Sequence, residues 1–175
     1  MGGAGAAPDL DGRIVHLRAL RPTDRASLRA ILAQPAVARW WDTADPDAAV
    51  DDWLEEGGDS VGFAIEVDGR LIGSIQYAEE DEPGYRHAGI DLFLDTDHQG
   101  RGLGPDAIRT LARHLIDRRG HHRLTIDPAA ANERAIRAYG QVGFRPVGVM
   151  RRYERGPDGT WHDGLLMDLV AEELT

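Results

Sequence analysis

The sequence of 175 residues predicts a mixed α/β fold with the element order β-α-α-β-β-β-α-β-α-β-β. Three observations lead there. Two apolar, β-branched runs meet at Asp68-Gly69, a dipeptide suited to a two-residue hairpin because both positions tolerate positive φ. Between an expected strand at 86–94 and another at 122–127, Ile108, Leu111, Ala112, Leu115 and Ile116 form one apolar stripe at helical spacing. That makes a β-α-β crossover. A last strand pair is expected across Pro157-Asp158-Gly159.

Taken in order, residues 12–20 alternate (Ile14, Leu17 and Leu20 against Arg13, His16 and Arg18) and read as the first strand. Pro22-Thr23-Asp24 opens a helix whose apolar positions are Leu28, Ile31 and Leu32, and Pro35 stops it. A second short helix is expected after Asp45-Pro46. Strands at 60–67 and 70–77 flank the hairpin turn, and a third follows at 86–94. A helix over 105–118, a strand over 122–127 and a helix over 132–142 come next. Strands at 144–153 and 161–170 close the order. Residues 1–11, rich in Gly and Ala, are expected to be a flexible tail, and 12–175 a single domain.

Composition narrows the chemistry. The absence of Cys excludes disulfides, thiolate metal sites and an acyl-cysteine intermediate. All twenty basic residues are Arg, so Schiff-base chemistry and a P-loop lysine are excluded too. A net charge of −10 argues against nucleic acid or an anionic membrane surface and suits a cationic small molecule, although it equally serves solubility. No apolar run approaches the ~20 residues that span a bilayer, and the N-terminal stretch lacks a signal-peptide pattern, so a cytoplasmic location is expected. His121 and His122 are adjacent, and no His-x-His or His-x₃-His pair occurs among the seven His, so no metal is expected. His162-Asp163 is read as structural. A homodimer is the default expectation for a small enzyme.

The crossover carries the chemistry. Gln99-Gly100-Arg101-Gly102-Leu103-Gly104 connects the strand to its helix, and Pro105 suits the first helical turn. A helix start offers unpaired N–H groups and the positive end of the dipole, which suits a diphosphate. Glycines let the backbone come close, and Arg101 supplies a charge. A ligand-free tight turn and a dinucleotide fold are the rival readings. Asp127, at the end of the next strand, would be the ribose-binding acid of the latter, but the third dinucleotide glycine is missing. Asp91 is an acid in an otherwise apolar strand, on one face with Phe93 and Asp95, where a carboxylate needs a partner or a use.

Gln99-x-x-Gly102-x-Gly104, set between a strand and a helix, resembles the acetyl-CoA loop of the GNAT superfamily of N-acetyltransferases, and the element order is similar over nearly the whole chain. The resemblance implies that acetyl-CoA is the cosubstrate and that main-chain N–H groups from Gln99 through Gly100, Arg101, Gly102 and Leu103 to Gly104 hold its pyrophosphate. It also implies that the fourth strand of the expected order splays from the fifth, so that the pantetheine lies against Leu92, Phe93 and Leu94. Asp127-Pro128 and then Asn132-x-x-Ala135-Ile136-Arg137-x-Tyr139-x-x-x-Gly143-Phe144 are similar to the segment that orients the cofactor's arm. By that likeness Asn132 contacts the pantetheine and Tyr139 protonates the departing thiolate, a role compatible with Tyr139 packing beside Ala135 and Val142.

A narrower resemblance is to the aminoglycoside 6′-N-acetyltransferases. It rests on Ala38-Arg39-Trp40-Trp41, Glu79-Glu80-Asp81-Glu82-Pro83-Gly84, Gly89-Ile90-Asp91, and Asp127-Pro128 through Phe144. It implies that Asp91 is the base or amine-binding acid and that Asp127 binds an acceptor ammonium. Trp40 and Trp41 would wall the acceptor cleft, with Glu79 and Glu80 at its border. Arg39 stands where that family often has an acid. The implied activity is direct, sequential acetyl transfer to a primary amine of an aminoglycoside antibiotic, with resistance as the consequence. The alternatives are a siderophore-type hydroxylysine or hydroxyornithine amine, a protein N-terminus, and a non-catalytic acetyl-CoA sensor.

Overall fold

The computed structural model describes residues 7–41, 45–55 and 58–175. Its strands are β1 (Leu10–Asp11), β2 (His16–Ala19), β3 (Ser60–Val67), β4 (Arg70–Glu80), β5 (His87–Leu94), β6 (Arg123–Ile126), β7 (Arg145–Arg155) and β8 (Trp161–Val170). Its helices are α1 (Arg25–Leu32), α2 (Pro35–Ala38), α3 (Pro46–Leu54), α4 (Leu103–Asp117) and α5 (Glu133–Gly140). The strands form one mixed sheet in the order β1-β2-β3-β4-β5-β6-β8-β7, antiparallel except where β5 meets β6. The expected order of elements is therefore present, with three local differences.

The first difference lies at the N-terminus. Leu10 and Asp11, placed in the expected tail, pair with Leu17 and His16. The strand expected over 12–20 is interrupted because the Asp106 carboxylate on α4 accepts the N–H groups of Arg13, Ile14 and Val15 at 3.1, 2.8 and 3.0 Å. Those donors are lost to the sheet ladder, and the chain turns there. The second is Pro35, which ends α1 and also opens α2 as its first residue, a position that needs no N–H. The third is that β4 runs on to Glu80 beside β5.

Elsewhere the local chemistry acts as the sequence suggests. Asp68 (φ 50°) and Gly69 (φ 75°) make the tight β3–β4 hairpin. Asp45 caps α3 by accepting from Asp47 and Ala48, and Asn132 caps α5 by accepting from Ala135. The α4 stripe Ile108, Leu111, Ala112 and Leu115 is fully buried against Leu17, Ile65, Ile75 and Leu124. Each large side chain of that stripe stabilises the fold by about 1.5–3 kcal/mol. A smaller core packs Leu28, Ile31, Leu32, Val37 and Val50 of α1–α3 against Phe93.

Alternation along β5 thus divides its two faces. Ile90, Leu92 and Leu94 join the core beneath α4, whereas Phe93 joins the α1–α3 core, and Asp91 shares its face. A buried ion cluster ties the start of this layer together. Arg18 of β2 grips Asp24 through two nitrogens at 2.8 and 2.9 Å and reaches Glu66 of β3 at 2.7 Å. No helix among the described residues is long and apolar enough to cross a membrane.

Candidate active site

The site begins where two neighbouring strands part. β5 and β6 are paired only at Ala88 with Leu124 and Gly89 with Thr125. Beyond those pairs β5 stays with β4 as far as Leu94, and β6 stays with β8. From Ile90 onward the free edge of β5 borders a cleft of about 1100 Å³, which Leu92, Phe93 and Leu94 all line.

At one end of the cleft the chain turns into α4. Gly100 (φ 72°) and Gly102 (φ 77°) both hold left-handed conformations, which glycine adopts without strain. Gly102 is the N-cap of α4, with no side chain capping the first N–H groups, and a Cβ built on it would meet nothing within 4 Å. The helix start is therefore open on the cleft side, and its orphan N–H groups and dipole suit a diphosphate. The loop is anchored by the Gln99 side-chain amide, which donates to the Leu94 carbonyl at 2.9 Å. Gln99, Gly100, Gly102 and Gly104 line the cleft. Leu103 buries its side chain in the main core, so only its main chain is available to a ligand. The Arg101 side chain is exposed and is not part of the lining. Arg134 of α5 was not foreseen; its guanidinium lies beside the loop, 3.3 Å from where a Cβ on Gly100 would be.

Deeper in the cleft, Asp91, Asp127 and Tyr139 come together. Solvent reaches Asp91 from the cleft, while protein surrounds it elsewhere. That desolvation pushes its pKa up to about 7, reinforced by the negative charges of Asp127 and Glu154 and opposed by the Leu92 N–H. Tyr139 is pushed well above the ordinary phenol range, by burial first and then by the charges of Asp91 and Asp127. One group thus becomes a carboxylate near neutral pH, and the other stays a protonated acid. This is a pair suited to taking a proton from an amine and giving one to a leaving group. Asn132 also lines the cleft, with its side-chain oxygen engaged in capping α5.

Trp40 and Trp41 also line the cleft. Trp41 also packs edge-on against Trp53 and Phe93, with ring centroids 5.4 and 5.3 Å away, so it is at once wall and core. Arg39 stacks its guanidinium over Trp40 at 4.6 Å, which spreads its charge across a ring face at the cleft rim.

The acidic stretch needs correction. Glu79 and Glu80 do not line the cleft. Glu79 binds Arg119 at 2.6 and 3.0 Å and the buried His121 at 2.6 Å. The Arg119 bond leads in holding its carboxyl down to about 2. Glu80 accepts the N–H of Glu82 within its own turn. Tyr153 and Glu154 of β7 take their place in the lining, and sequence reasoning missed both. The Tyr153 hydroxyl donates to Oδ2 of Asp127 at 2.6 Å, and that bond, with burial, raises the phenol to about 12. Read as an ordinary alternating strand, 144–153 gives no signal that this end turns inward.

A helix start open to a diphosphate, a slot between parted strands, and a carboxylate and phenol within it describe a coenzyme A-dependent acyl transferase. The chain belongs to the acetyltransferase (GNAT) domain family, whose model matches residues 15–145. It is 28% identical over 164 residues to the aminoglycoside N(6′)-acetyltransferase type 1 of Klebsiella pneumoniae, covering 83% of this chain and 79% of that one. It is 35% identical over 83 residues to the [ribosomal protein bS18]-alanine N-acetyltransferase of Escherichia coli K12, covering 46% and 53%. Among solved structures, Mycobacterium smegmatis RimJ in complex with CoA-disulfide superposes with a TM-score of 0.83 at 25% identity, covering 95% of this chain and 88% of that one. The protein is an acetyl-CoA-dependent N-acetyltransferase with the mixed sheet of that fold. Acetyl-CoA supplies the acetyl group as a reactive thioester.

Proposed function

We propose that this enzyme acetylates a primary amine of an aminoglycoside by direct transfer from acetyl-CoA. The observation that carries this reading is the acceptor end of the cleft. There Asp91, Asp127 and Glu154 share the lining with the rings of Trp40 and Trp41. A polycationic sugar needs several carboxylates for its ammonium groups and an apolar face for its rings. The likeness to the Klebsiella enzyme over most of both chains supports the same acceptor class.

In this reading the main-chain N–H groups at Gly102–Gly104 and the Arg134 guanidinium hold the diphosphate, and the free edge of β5 aligns the pantetheine. Asp127 anchors an acceptor ammonium. Asp91 takes the proton that the attacking amine must lose, and Tyr139 gives one to the departing sulfur. With no Cys in the chain, transfer runs without an acyl-cysteine intermediate. A protein N-terminus is the second reading, favoured by the likeness to the bS18-alanine enzyme and by the cations Arg39, Arg137 and Arg155 in the cleft lining, which suit an acidic peptide better than a polyamine.

Calorimetric titration of kanamycin into the CoA-loaded protein separates the two. Binding that weakens about tenfold in Asp127→Asn and Glu154→Gln, and that weakens with salt, is the expected result. Kanamycin binding indifferent to both substitutions would refute the acidic acceptor site.

A further inference from the structure

We propose that Tyr153 is a positioning residue for the acceptor: it fixes the Asp127 carboxylate so that one oxygen is held by the protein and the other is presented to the incoming ammonium. The inference rests on the acceptor reading of Asp127 given above. It deepens that reading by naming what sets the geometry of the carboxylate.

The support comes from how β7 is built. Met150 pairs with Gly164 and Glu154 with His162, so four steps along β7 are matched by two along β8. The two extra residues bulge out of the ladder. Arg152, at the top of the bulge, has φ 51°, a left-handed conformation that a side chain other than glycine adopts only when its surroundings enforce it. The enforcing contact is on the facing strand, where Asp163 Oδ1 accepts the Arg152 N–H at 2.8 Å.

The next residue along is Tyr153. Its ring lies over the bare Cα of Gly164, where a Cβ would come within 2.8 Å of Cδ1 and within 3.2 Å of the Met150 methyl. With the ring seated there, the phenol reaches across to β6's exit and donates to Asp127 Oδ2 at 2.6 Å. No described residue donates to Oδ1, and Asp127 is only partly buried in the cleft wall. A carboxylate held through one oxygen loses its rotational freedom and offers the second in a defined direction. This is the arrangement that a specific ammonium contact requires. Asp163, Arg152 and Gly164, none of which lines the cleft, therefore decide where Asp127 points.

The test is steady-state kinetics of Tyr153→Phe and Gly164→Ala with kanamycin and with an alanine-led peptide, reading acceptor KM, kcat and acetyl-CoA KM separately. Tyr153→Phe keeps the ring and removes only the donor. It is expected to raise the acceptor KM about tenfold with a smaller change in kcat and no change in acetyl-CoA KM. Gly164→Ala keeps the hydroxyl but displaces the ring, and should give the same split. The double variant should be no worse than the weaker single one, because both remove one contact. An unchanged acceptor KM in Tyr153→Phe, or an equal loss for acetyl-CoA, would overturn the inference. Wild-type turnover of the peptide and not of kanamycin would instead contradict the aminoglycoside reading alone, and the Tyr153 effect would then be read on the peptide's amine.

Discussion

Asp127 raises the proton affinity of Asp91: after burial, its charge is the largest influence holding the Asp91 carboxyl at about 7. Asp91 stands two residues past the last β5–β6 pair and Asp127 just past the end of β6, and both line the cleft that opens where the strands part. If Asp91 is the base, as proposed, it works only when ionised, and acceptor turnover should rise with pH through a midpoint near 7. Asp127→Asn removes a negative charge and should move that midpoint to lower pH, while also raising the acceptor KM. A pH–rate profile of kcat/KM for both proteins checks the sign; an acid limb that does not move would remove the coupling.

The same shift has a consequence for stability. The folded-state pKa of Asp91 lies above the ~3.9 of an unfolded chain, so its ionisation opposes folding, fully above pH 7 and not at all below about pH 4. Asp91→Asn should be inactive yet more thermostable at pH 8, by a margin kept small because solvent reaches Asp91, with the advantage gone at pH 4. Thermal unfolding at the two pH values reads this directly. A variant less stable than wild type at pH 8 would mean that Asp91 has a stabilising partner.

In the proposed role of Tyr139 as proton donor, Tyr139→Phe should lower kcat by about 10²-fold while leaving acetyl-CoA affinity nearly intact, because the ring remains. Equal losses in kcat and in cofactor binding would assign the phenol to binding instead.

Gly102→Val is expected to abolish acetyl-CoA binding. A Cβ there meets no protein atom within 4 Å, so whatever it excludes is a ligand and not a neighbour. The left-handed φ of 77° adds about 1–2 kcal/mol of strain, so folding should be checked by circular dichroism beside CoA titration. Retained CoA affinity in a folded Gly102→Val protein would move the diphosphate elsewhere.

Much of this was legible in the residues themselves. Asp68-Gly69, the α4 stripe and the glycine loop act through local chemistry that a sequence displays: positive φ, helical period, an uncapped helix start. Asp91 stood out as an acid in an apolar strand, and Asp127 and Tyr139 through the resemblance of their segment to a family motif; all three line the cleft. What remained hidden depends on long-range partners. The break after Gly12 needs Asp106, more than ninety residues away, to take three N–H groups. Glu79 was read as a cleft acid because nothing local shows that Arg119 and His121 already hold it. Tyr153 was hidden because β7 is an edge strand exposed along most of its length. Such a strand has no hydrophobic alternation to reveal where two extra residues break its ladder.

The Asp106 contact yields its own expectation. Burial works against its ionisation, but the N–H groups of Val15, Ile14 and Arg13 outweigh it and lower its pKa. A depressed carboxyl contributes stability that is present above the unfolded pKa and lost as pH falls through the folded one, so the loss lies below about pH 4. Asp106→Asn should cost about 1–3 kcal/mol at neutral pH in urea unfolding and flatten the acid limb of stability. An unchanged acid limb would show that the contact contributes nothing.

The proposed aminoglycoside acceptor requires that Asp91, Asp127 and Glu154 outweigh the arginines Arg39, Arg134, Arg137 and Arg155 that share the cleft lining. The most direct measurement is thiol release from acetyl-CoA across kanamycin, tobramycin, hydroxylated lysine and ornithine, and alanine-led peptides. Turnover with kanamycin and tobramycin at kcat/KM values well above those of the amino acids and peptides is the predicted result. Turnover confined to an amino acid or a peptide would leave the fold and the donor in place and contradict the acceptor assignment.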